Sequence, residues 1–516
     1  MSAAENMALD ETLLELKDDG ISPNTIRFLQ FRPRCVLVGV HQAVEEEVRL
    51  DYCRAHNIEI NRRITGGGAL FWDESQLGWE IYSDKKFFNL TIPTNSLFES
   101  LCLPVSLALK ALGVDASFRP RNDIEIDGRK ISGTGGTDHG SAFLFQGTLL
   151  VDFDVETMLR SLKIPVEKLK AKEIDSFRDR VTCLKWELGE VPPLERIKEA
   201  LAASFCKGLG FALEPGGLLP EEEELFQHKL KAFRSPSWID SITPSQNSRE
   251  TVRATYKSAA GMIRCTMAVT PRRNRLRDIY LTGDFISFPG RALYDLEASL
   301  RGLPLEKERL HRVIEDFFAD GKIVIPGMDA SDFIKPIDLA LEKCEMHRYG
   351  LPLAYCNMIS VTNGSFREVL EKDPAVLLLP YCAKLTDCDL RYEKNCAMCG
   401  QHDCSIGFAW EMGLGRSKKV ISVVNFEDLW SELMHLKKAG ERAFIGCCCQ
   451  PFFAKHVDDF AAAGLPGILL DIDDTTCYDL DQAKNAYAGT FESQTRVNLD
   501  LLEKVLDLAA TLNTAA

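Results

Sequence analysis

Two arginines and three consecutive glycines form the first stretch of this sequence whose residue types could do chemistry. Arg62 and Arg63 precede Gly66, Gly67 and Gly68, and an apolar, strand-like run follows. Glycine lets the backbone approach a ligand closely, and successive backbone N–H groups in such a turn form a concavity for anions. Arginines beside the turn supply paired donors for phosphate or carboxylate. The stretch therefore indicates an anion site; the alternative is a tight hairpin with two solvated arginines.

A second stretch, residues 121–136, combines a turn with a lysine and further glycines. Asp127-Gly128 is a two-residue turn signal that predicts a β-hairpin, and Lys130 follows just after it. A lysine ammonium is a compact point charge that can serve two neighbouring oxygens. Read together, the two stretches favour one site that neutralises an anionic ligand over two unrelated turns.

Cysteines are the third group with chemical potential. The chain has 17, of which six precede residue 344 and eleven lie from there on. Clustered cysteines in a protein that is not exported are metal ligands or redox groups more often than structural disulfides. The predicted metal ligands are Cys382, Cys388, Cys396, Cys399, Cys404 and Cys447. So many thiols without paired histidines favour an iron–sulfur cluster; zinc and metal-free redox thiols remain alternatives.

Hydrophobic periodicity and turn signals show which elements must position these groups. The glycine stretch lies between predicted strands, and the lysine lies at a hairpin. Helices are predicted at 5–19, 94–112, 155–172 and 194–209, and strands at 26–31, 35–40, 77–82 and within 117–153. Residues 232–342 mix strands and helices. From residue 346 onward, short apolar runs alternate with helical stretches, and this order predicts a parallel α/β sheet.

Composition and charge exclude some classes of function. The net charge of -15 argues against a general nucleic-acid-binding protein, which would show a basic face. The longest apolar runs are too short to span a membrane. The first residues are acidic and lack an apolar segment, so no secretory signal is expected and a cytoplasmic location is predicted.

The chain resembles the lipoate–protein ligase A family of the biotin and lipoate ligases. The resemblance rests on residues 62–72 and 121–136, and it continues at 145–150 and 170–181. It implies a fold class of α/β and α+β, with a ligase-like catalytic domain at 1–230 and a small α+β accessory domain at 231–345. Residues 346–516 resemble a cysteine-rich domain attached to such ligases, here predicted to be an α/β metal-binding domain; that likeness adds no activity.

The resemblance also implies an activity and the residues that perform it. A ligase of this family uses ATP and Mg²⁺ to convert lipoate or octanoate to an acyl-adenylate, then transfers the acyl group to a lysine of a lipoyl domain or GcvH-like carrier protein. Lys130 is implied as catalytic, and Asp123 as the magnesium ligand. The implied substrate- and adenylate-binding residues are Arg63, Thr65, Gly66, Gly67, Gly68, Ala69, Asn122, Gly133, Gly147, Thr148, Lys172, Arg178 and Arg180.

Two departures leave the acyl specificity open. Trp72 and Gln146 stand where the family often has histidine. A cysteine-dependent octanoyltransferase would need a nucleophile near the pocket, and no cysteine falls between 103 and 182. The main hypothesis is thus a ligase. The alternatives are a redox- or metal-sensing protein that holds lipoyl-adenylate or a lipoyl carrier without turnover, and an ATP-independent transferase.

Overall fold

The chain forms two compact units that divide between Asp338 and Leu339, with Thr251 and Val252 grouped with the second. The computed structural model describes residues 1–88, 95–119, 123–163, 180–243, 251–270, 274–401, 403–474, 476–478, 482–488 and 490–514. Helices and sheets occur in both units, and the predicted mixed fold class is confirmed. The predicted boundaries at 230/231 and 345/346 fall within continuous helices, and the division into three domains remains a prediction.

The described strands up to residue 283 are numbered in chain order. They are β1 (Thr25–Leu29), β2 (Cys35–Val38), β3 (Glu59–Arg62), β4 (Leu70–Trp72), β5 (Leu77–Asp84), β6 (Ser117–Arg119), β7 (Asp123–Ile126), β8 (Arg129–His139), β9 (Ala142–Leu149), β10 (Thr251–Lys257), β11 (Met262–Thr270) and β12 (Arg275–Gly283). The largest sheet has the order β1-β5-β9-β8-β7-β6, and its neighbours are all antiparallel. A smaller sheet has the order β3-β2-β4, and another β10-β11-β12.

Helices pack on these sheets. They are α1 (Ala3–Asp18), α2 (Val44–Glu47), α3 (Leu50–Ala55), α4 (Asn95–Ala111), α5 (Val155–Ser161), α6 (Leu184–Leu188), α7 (Leu194–Leu209), α8 (Pro220–Phe233), α9 (Pro236–Ile239), α10 (Ala292–Leu300), α11 (Lys307–Ala319) and α12 (Ala330–His347). Helix α1 begins at a capping box in which Ser2 and Glu5 each bind the other's backbone N–H. The predicted helix at 155–172 is shorter, because α5 ends at Ser161; residues 164–179 lie outside the described ranges.

The predicted hairpin of the second stretch is confirmed. Asp127 and Gly128 both have positive φ, 50° and 78°, which is the requirement of a two-residue turn of type I′. The turn joins β7 to β8, and the two strands pair in antiparallel register, with Asp123 opposite Gly133. The hairpin therefore fixes where Lys130 and Gly133 lie relative to Asp123.

A mostly parallel sheet forms the centre of the second unit. Its strands are β13 (Ile359–Thr362), β14 (Val376–Pro380), β15 (Lys419–Val423), β16 (Phe444–Cys447) and β17 (Gly467–Leu470), in the order β13-β17-β16-β14-β15. Strands β15, β14, β16 and β17 are parallel, as predicted, whereas β13 adds an antiparallel edge that the sequence did not predict. A short pair, β18 (Ile472–Asp473) and β19 (Arg496–Val497), follows.

Helices cover both faces of the parallel sheet. They are α13 (Leu353–Asn357), α14 (Phe366–Glu371), α15 (Ser405–Gly415), α16 (Phe426–Lys438), α17 (Gln450–Lys455), α18 (Val457–Ala463), α19 (Ala483–Tyr487) and α20 (Leu499–Thr514). Leu377 and Leu379 of β14 point into one apolar cluster, and Val376 and Leu378 point into the other. Because both faces are buried, these strands read as continuous apolar runs. Within the described ranges, no helix has the length and apolarity needed to cross a membrane.

Truncating one core leucine tests this packing. Leu377 is fully buried in β14, so Leu377→Ala leaves a cavity and should lower the free energy of unfolding of the second unit by about 2–5 kcal/mol. Leu414→Ala is the matched control, since Leu414 is 46% exposed, and it should change that free energy by no more than about 0.5 kcal/mol. Native-state hydrogen exchange of the β14 amides measures both values. Equal effects of the two substitutions would contradict the burial of Leu377 in the core of the second unit.

Candidate active site

The two stretches meet at one cavity in the first unit. The loop between β3 and β4 supplies Gly66, Gly67 and Gly68 to its lining, and the hairpin strand β8 supplies Lys130 and Gly133. Sequence separates these groups by more than sixty residues, but the β-sheets bring them together. The other lining residues are Met7, Leu29, Phe31, Leu37, Arg63, Leu70, Trp72, Gly78, Glu80, Thr134, Gly135, Gln146, Gly147 and Thr148.

Arg63 holds the glycine loop from inside. Its guanidinium donates to the carbonyl oxygens of Leu37, Gly66 and Gly68, each at 3.0 Å. Burial, and then the charge of neighbouring Arg62, lower the pKa of Arg63 to about 10, so it remains a cation at neutral pH. Leaving those buried carbonyls without a donor would cost about 1–3 kcal/mol each. Arg63 thus acts in this structure as the support of the loop.

Arg62 is the second support, and it is buried as well. It donates to the carbonyls of Gly39, Val40 and Gln42 on one side and to that of Ile239 on the other. The sequence alternative of two solvated arginines is therefore wrong. The sequence shows two arginines before a glycine run. It does not show that the carbonyls accepting the hydrogen bonds of Arg62 come from distant turns.

Steric limits explain why glycines occupy the loop. A Cβ at Gly66 would lie 2.3 Å from the carbonyl oxygen of Phe285, and one at Gly39 would lie 2.1 Å from that of Gly67. Gly67 has φ of +95°, and its N–H donates to the carbonyl of Phe285 at 2.9 Å. The segment after β12 thus closes over the loop, and the Gly67 amide is already engaged there. This contact gives the predicted accessory region a role in shaping the cavity.

Lys130 lies at a wall of the cavity, next to a carboxylate. Its Nζ is 2.6 Å from Oδ1 of Asp123, the two side chains being 37% and 25% exposed. A Cβ at Gly133 would lie 2.6 Å from that Nζ, so the glycine makes room for the ammonium. The Gly133 amide donates to the Thr148 hydroxyl at 3.2 Å. A backbone pair, from Lys130 N–H to Arg180 oxygen and from Thr182 N–H to Lys130 oxygen, holds the strand.

An apolar cluster forms another wall. Side chains of α1, β1, β2 and β4 pack together there, with the rings of Phe31 and Trp72 at 4.9 Å. Gln146 donates to the Thr65 hydroxyl at 2.8 Å and so links β9 to the glycine loop. Gly147 is held against Trp79, whose ring would lie 2.3 Å from a Cβ there. The cavity thus combines an ammonium, a glycine loop and an apolar wall. This combination suits a ligand with an anionic head and an apolar chain.

A buried acidic network lies behind the apolar wall, and sequence reasoning missed it. Arg27 Nη1 contacts Asp10 at 2.6 Å and Glu80 at 2.9 Å, and the Tyr82 hydroxyl donates to Glu80 at 2.9 Å. Burial, and then the charge of Glu80, raise the pKa of Asp10 well above its usual range. Glu80 also lines the cavity. The available signal was the charged Glu80 inside the run Leu77–Tyr82 of β5, which has no other charged residue.

The structure does not place several predicted site residues at this cavity. Asn122, Lys172 and Arg178 lie outside the described residues. Arg180 contributes its carbonyl to Lys130, and Ala69 packs on a separate apolar cluster. The roles assigned to the other predicted residues remain predictions.

The predicted cysteine cluster does not converge on one point. Cys388, Cys396 and Cys404 lie near the ammonium of Lys384. Burial lowers the pKa of Lys384, and the three thiols act in the opposite direction and raise it. Cys382 and Cys447 line a different cavity. Within the part of the chain that the structure describes, no three His, Cys, Asp or Glu side chains form a group that could hold a single metal ion. The six-residue ligand set therefore gains no support from the structure.

Comparison with known proteins gives a family match within the first unit. The sequence model of the family described as "Lipoyl protein ligase A/B catalytic domain" matches residues 2–206. This region of the chain is therefore similar to that family. The resemblance predicted from the motifs is thereby confirmed.

Individual relatives include two kinds of enzyme. The chain is 27% identical over 259 residues to octanoyltransferase LipM of Geobacillus kaustophilus, covering 46% of this chain and 93% of the relative. It is 28% identical over 317 residues to lipoate–protein ligase 1 of Staphylococcus aureus, covering 60% of this chain and 90% of the relative. A solved lipoate–protein ligase A bound with ATP aligns with a TM-score of 0.41 and 24% identity, over 47% of this chain and 95% of that one.

The close contact of the glycine loop can be tested by adding one methyl group. Gly66→Ala should displace the backbone at Phe285 and destabilise the first unit by about 1–3 kcal/mol. Gly216→Ala is the control, since nothing lies within 4 Å of a Cβ there, and it should leave stability within about 0.5 kcal/mol. Urea unfolding followed by tryptophan fluorescence measures the difference. An unchanged Gly66→Ala midpoint would mean that the 283–289 segment does not close on the loop.

Proposed function

We propose that this protein is an ATP-dependent lipoate–protein ligase. The observation that carries the proposal is the single cavity in which the Lys130 ammonium, the Arg63-supported glycine loop and an apolar wall lie together. Lipoate and octanoate both have a carboxylate on an aliphatic chain, and this pairing of surfaces fits either. The match of residues 2–206 to the model of the lipoyl protein ligase A/B catalytic domain supports the same proposal.

The reaction has two steps. The carboxylate oxygen of the acyl substrate attacks the α-phosphorus of ATP, a carboxylate–phosphate bond forms, and pyrophosphate leaves. The amine of a carrier lysine then attacks the acyl carbonyl and loses a proton, an amide forms, and AMP leaves. Negative charge grows on phosphate and carbonyl oxygens in both steps, so a fixed cation and fixed N–H donors lower the barrier.

Lys130 is the residue proposed to meet this charge. Asp123 holds the Nζ at 2.6 Å, Gly133 leaves space around it, and pairing with the 180–182 segment fixes its backbone. Because the ammonium is a point charge, it can contact the phosphate and then the acyl carbonyl without moving its strand.

Asp123 is also the proposed magnesium ligand, and the residues present fit that role. Mg²⁺ usually binds one or two carboxylates and takes its other ligands from phosphate and water. One partly exposed carboxylate beside the cavity therefore suffices. When bound, the ion would neutralise charge on the phosphates of ATP. The proposed acceptor is a lipoyl domain or a GcvH-like carrier protein.

A second candidate function is ATP-independent octanoyl transfer, because one group of relatives consists of octanoyltransferases. Two observations favour the ligase. No cysteine occurs among the described residues that line the cavity. The match to the ligase of Staphylococcus aureus also spans 317 residues, whereas the transferase match spans 259.

Lys130→Ala tests the catalytic assignment. Loss of this ammonium should reduce carrier lipoylation by about 100-fold or more, in line with removal of one charge-stabilising donor from an active site. Lys110→Ala serves as the control, since Lys110 is an exposed lysine of α4 with 71% of its side chain accessible. The assay is the mass gain of an apo carrier domain incubated with ATP, Mg²⁺ and lipoate. Full activity of Lys130→Ala would refute the assignment.

Two buried cysteines of the first unit, Cys102 and Cys183, separate the ligase from the transferase. Burial raises the pKa of Cys102 to about 12 and that of Cys183 to about 11, so neither thiol ionises at neutral pH. Cys102→Ser and Cys183→Ser should therefore keep wild-type lipoylation, and transfer should require ATP. A loss of activity in either properly folded variant, together with octanoyl transfer between carriers without ATP, would instead establish cysteine-dependent transfer.

A further inference from the structure

A cavity in the second unit lies at the carboxyl ends of the parallel strands β14, β15, β16 and β17. Ligands of open α/β folds bind at this edge of the sheet. All four strand ends contribute to the apolar lining, for example through Leu379, Val424, Cys447 and Leu469. The ligase reaction proposed for the first unit uses no residue of this cavity, which is therefore a separate candidate ligand site.

Charge is absent from the lining. The described residues that line this cavity include no Asp, Glu, Lys, Arg or His side chain. Burial raises the pKa of Cys447 to about 12 and the pKa values of Cys448 and Cys449 well above their usual range, so these thiols stay uncharged at neutral pH. They pack as small apolar groups. A charged ligand would lose its hydration here without gaining a counter-ion, so the lining selects an uncharged ligand.

A chain of hydrogen-bonded side chains begins at the half-exposed carboxylate of Asp459 and ends at the cavity. Asp459 contacts Nδ1 of His456 at 2.8 Å, and Nε2 of His456 contacts the Tyr487 hydroxyl at 2.7 Å. The Tyr487 hydroxyl lies 2.9 Å from that of Tyr478, and both tyrosines line the cavity. Phe426 stacks on the His456 ring, with centroids 4.0 Å apart, and so holds the orientation of that ring.

The outer end of this chain sets its direction. A carboxylate only accepts hydrogen bonds, so Nδ1 of His456 carries the proton that it donates to Asp459. Burial lowers the pKa of His456, so the ring is uncharged at neutral pH and its Nε2 is an acceptor. The Tyr487 hydroxyl therefore donates to Nε2, and the Tyr478 hydroxyl donates to Tyr487. The Tyr478 oxygen has then used its only proton, and it meets the cavity as an acceptor.

Two other polar groups of the lining already have partners within the protein. The Tyr381 hydroxyl donates to the carbonyl of Ala486 at 3.0 Å. The side-chain oxygen of Asn425 accepts the Asp428 N–H at 2.8 Å and so caps α16. By contrast, the Tyr478 oxygen receives no hydrogen bond from any of the described residues. The cavity thus contains an acceptor that the protein itself does not use.

We propose that this cavity binds an uncharged, mainly apolar molecule that carries one N–H or O–H group, and that this group donates to the Tyr478 oxygen. The apolar lining holds the body of the molecule, and the hydrogen bond fixes its orientation. An anionic relative of the same molecule is excluded, because the described lining offers no cation. Binding involves no covalent step, and the proposal is independent of the ligase reaction in the first unit.

Three related fluorescent probes test the site in the full-length wild-type protein. N-phenyl-1-naphthylamine is uncharged and apolar, has one N–H, and should bind saturably, with a rise in its fluorescence. Its sulfonated relative, 1-anilinonaphthalene-8-sulfonate, should bind about tenfold or more weakly, because its buried charge finds no cation. N-methyl-N-phenyl-1-naphthylamine lacks the N–H and should bind about three- to tenfold more weakly than the first probe, the loss expected for one neutral hydrogen bond.

Substitutions then locate the bound probe. Ala486 lines the cavity, so Ala486→Phe places a ring there and should weaken binding of N-phenyl-1-naphthylamine by about tenfold or more. Ala439→Phe is the matched control, since Ala439 is exposed at the end of α16, and it should leave the affinity unchanged. Tyr478→Phe removes the acceptor but keeps the ring, so the amine and its N-methyl relative should bind this variant equally. Circular dichroism establishes that each variant is folded.

The proposal is overturned if the wild-type protein does not bind the amine saturably, if the sulfonate binds as tightly as the amine, or if Ala486→Phe and Ala439→Phe bind the amine equally. Equal affinities of the amine and its N-methyl relative for the wild-type protein would show that Tyr478 is not the acceptor. Comparing the three probes on the wild-type protein requires no variant, so misfolding of a variant does not decide the outcome.

Discussion

Two buried guanidinium groups are the constraint on which the candidate active site depends. A run of three glycines has little conformational preference of its own, and ordering it costs more entropy than ordering any other tripeptide. Arg63 offsets this cost by binding the carbonyls of Leu37, Gly66 and Gly68 from below, while Arg62 ties the neighbouring turn to residues near 239. The arginines therefore use their donors on the protein itself, and the ligand meets a loop that is already shaped.

Lys130 remains at the surface of that shaped cavity as its cation. Its neighbour Asp123 and the gap left by Gly133 both come from one β-hairpin, so a single local element sets the distance between ammonium and carboxylate. The glycine loop and the hairpin belong to different sheets, and the wall that joins them includes residues from α1, β1 and β2. Loop, lysine and apolar wall are thus positioned by separate parts of the fold, which must all be correct for the proposed chemistry to occur.

The same principle operates in the second unit with different chemistry. Parallel strands end at one edge of a sheet, so residues that follow different strands meet there regardless of their distance in sequence. Cys382, Cys449 and Cys477 are brought into one cavity in this way. The residues of 388–404 are closer to Cys382 in sequence, yet they form a separate group around Lys384. Proximity in sequence was therefore a poor guide to which thiols share a site.

Local patterns in the sequence determined much of this protein. Asp127-Gly128 specified a hairpin because both positions need positive φ, and apolar runs separated by helices specified a parallel sheet. The motifs at 62–72 and 121–136 predicted the family resemblance, and residues of both stretches line one cavity in the structure. Only the tertiary structure decided the partners of Arg62 and Arg63, the network of Asp10, Arg27 and Glu80, and the division of the cysteines. Each of these depends on which distant backbone or side chain fills a buried position, and that is fixed by packing of the whole chain.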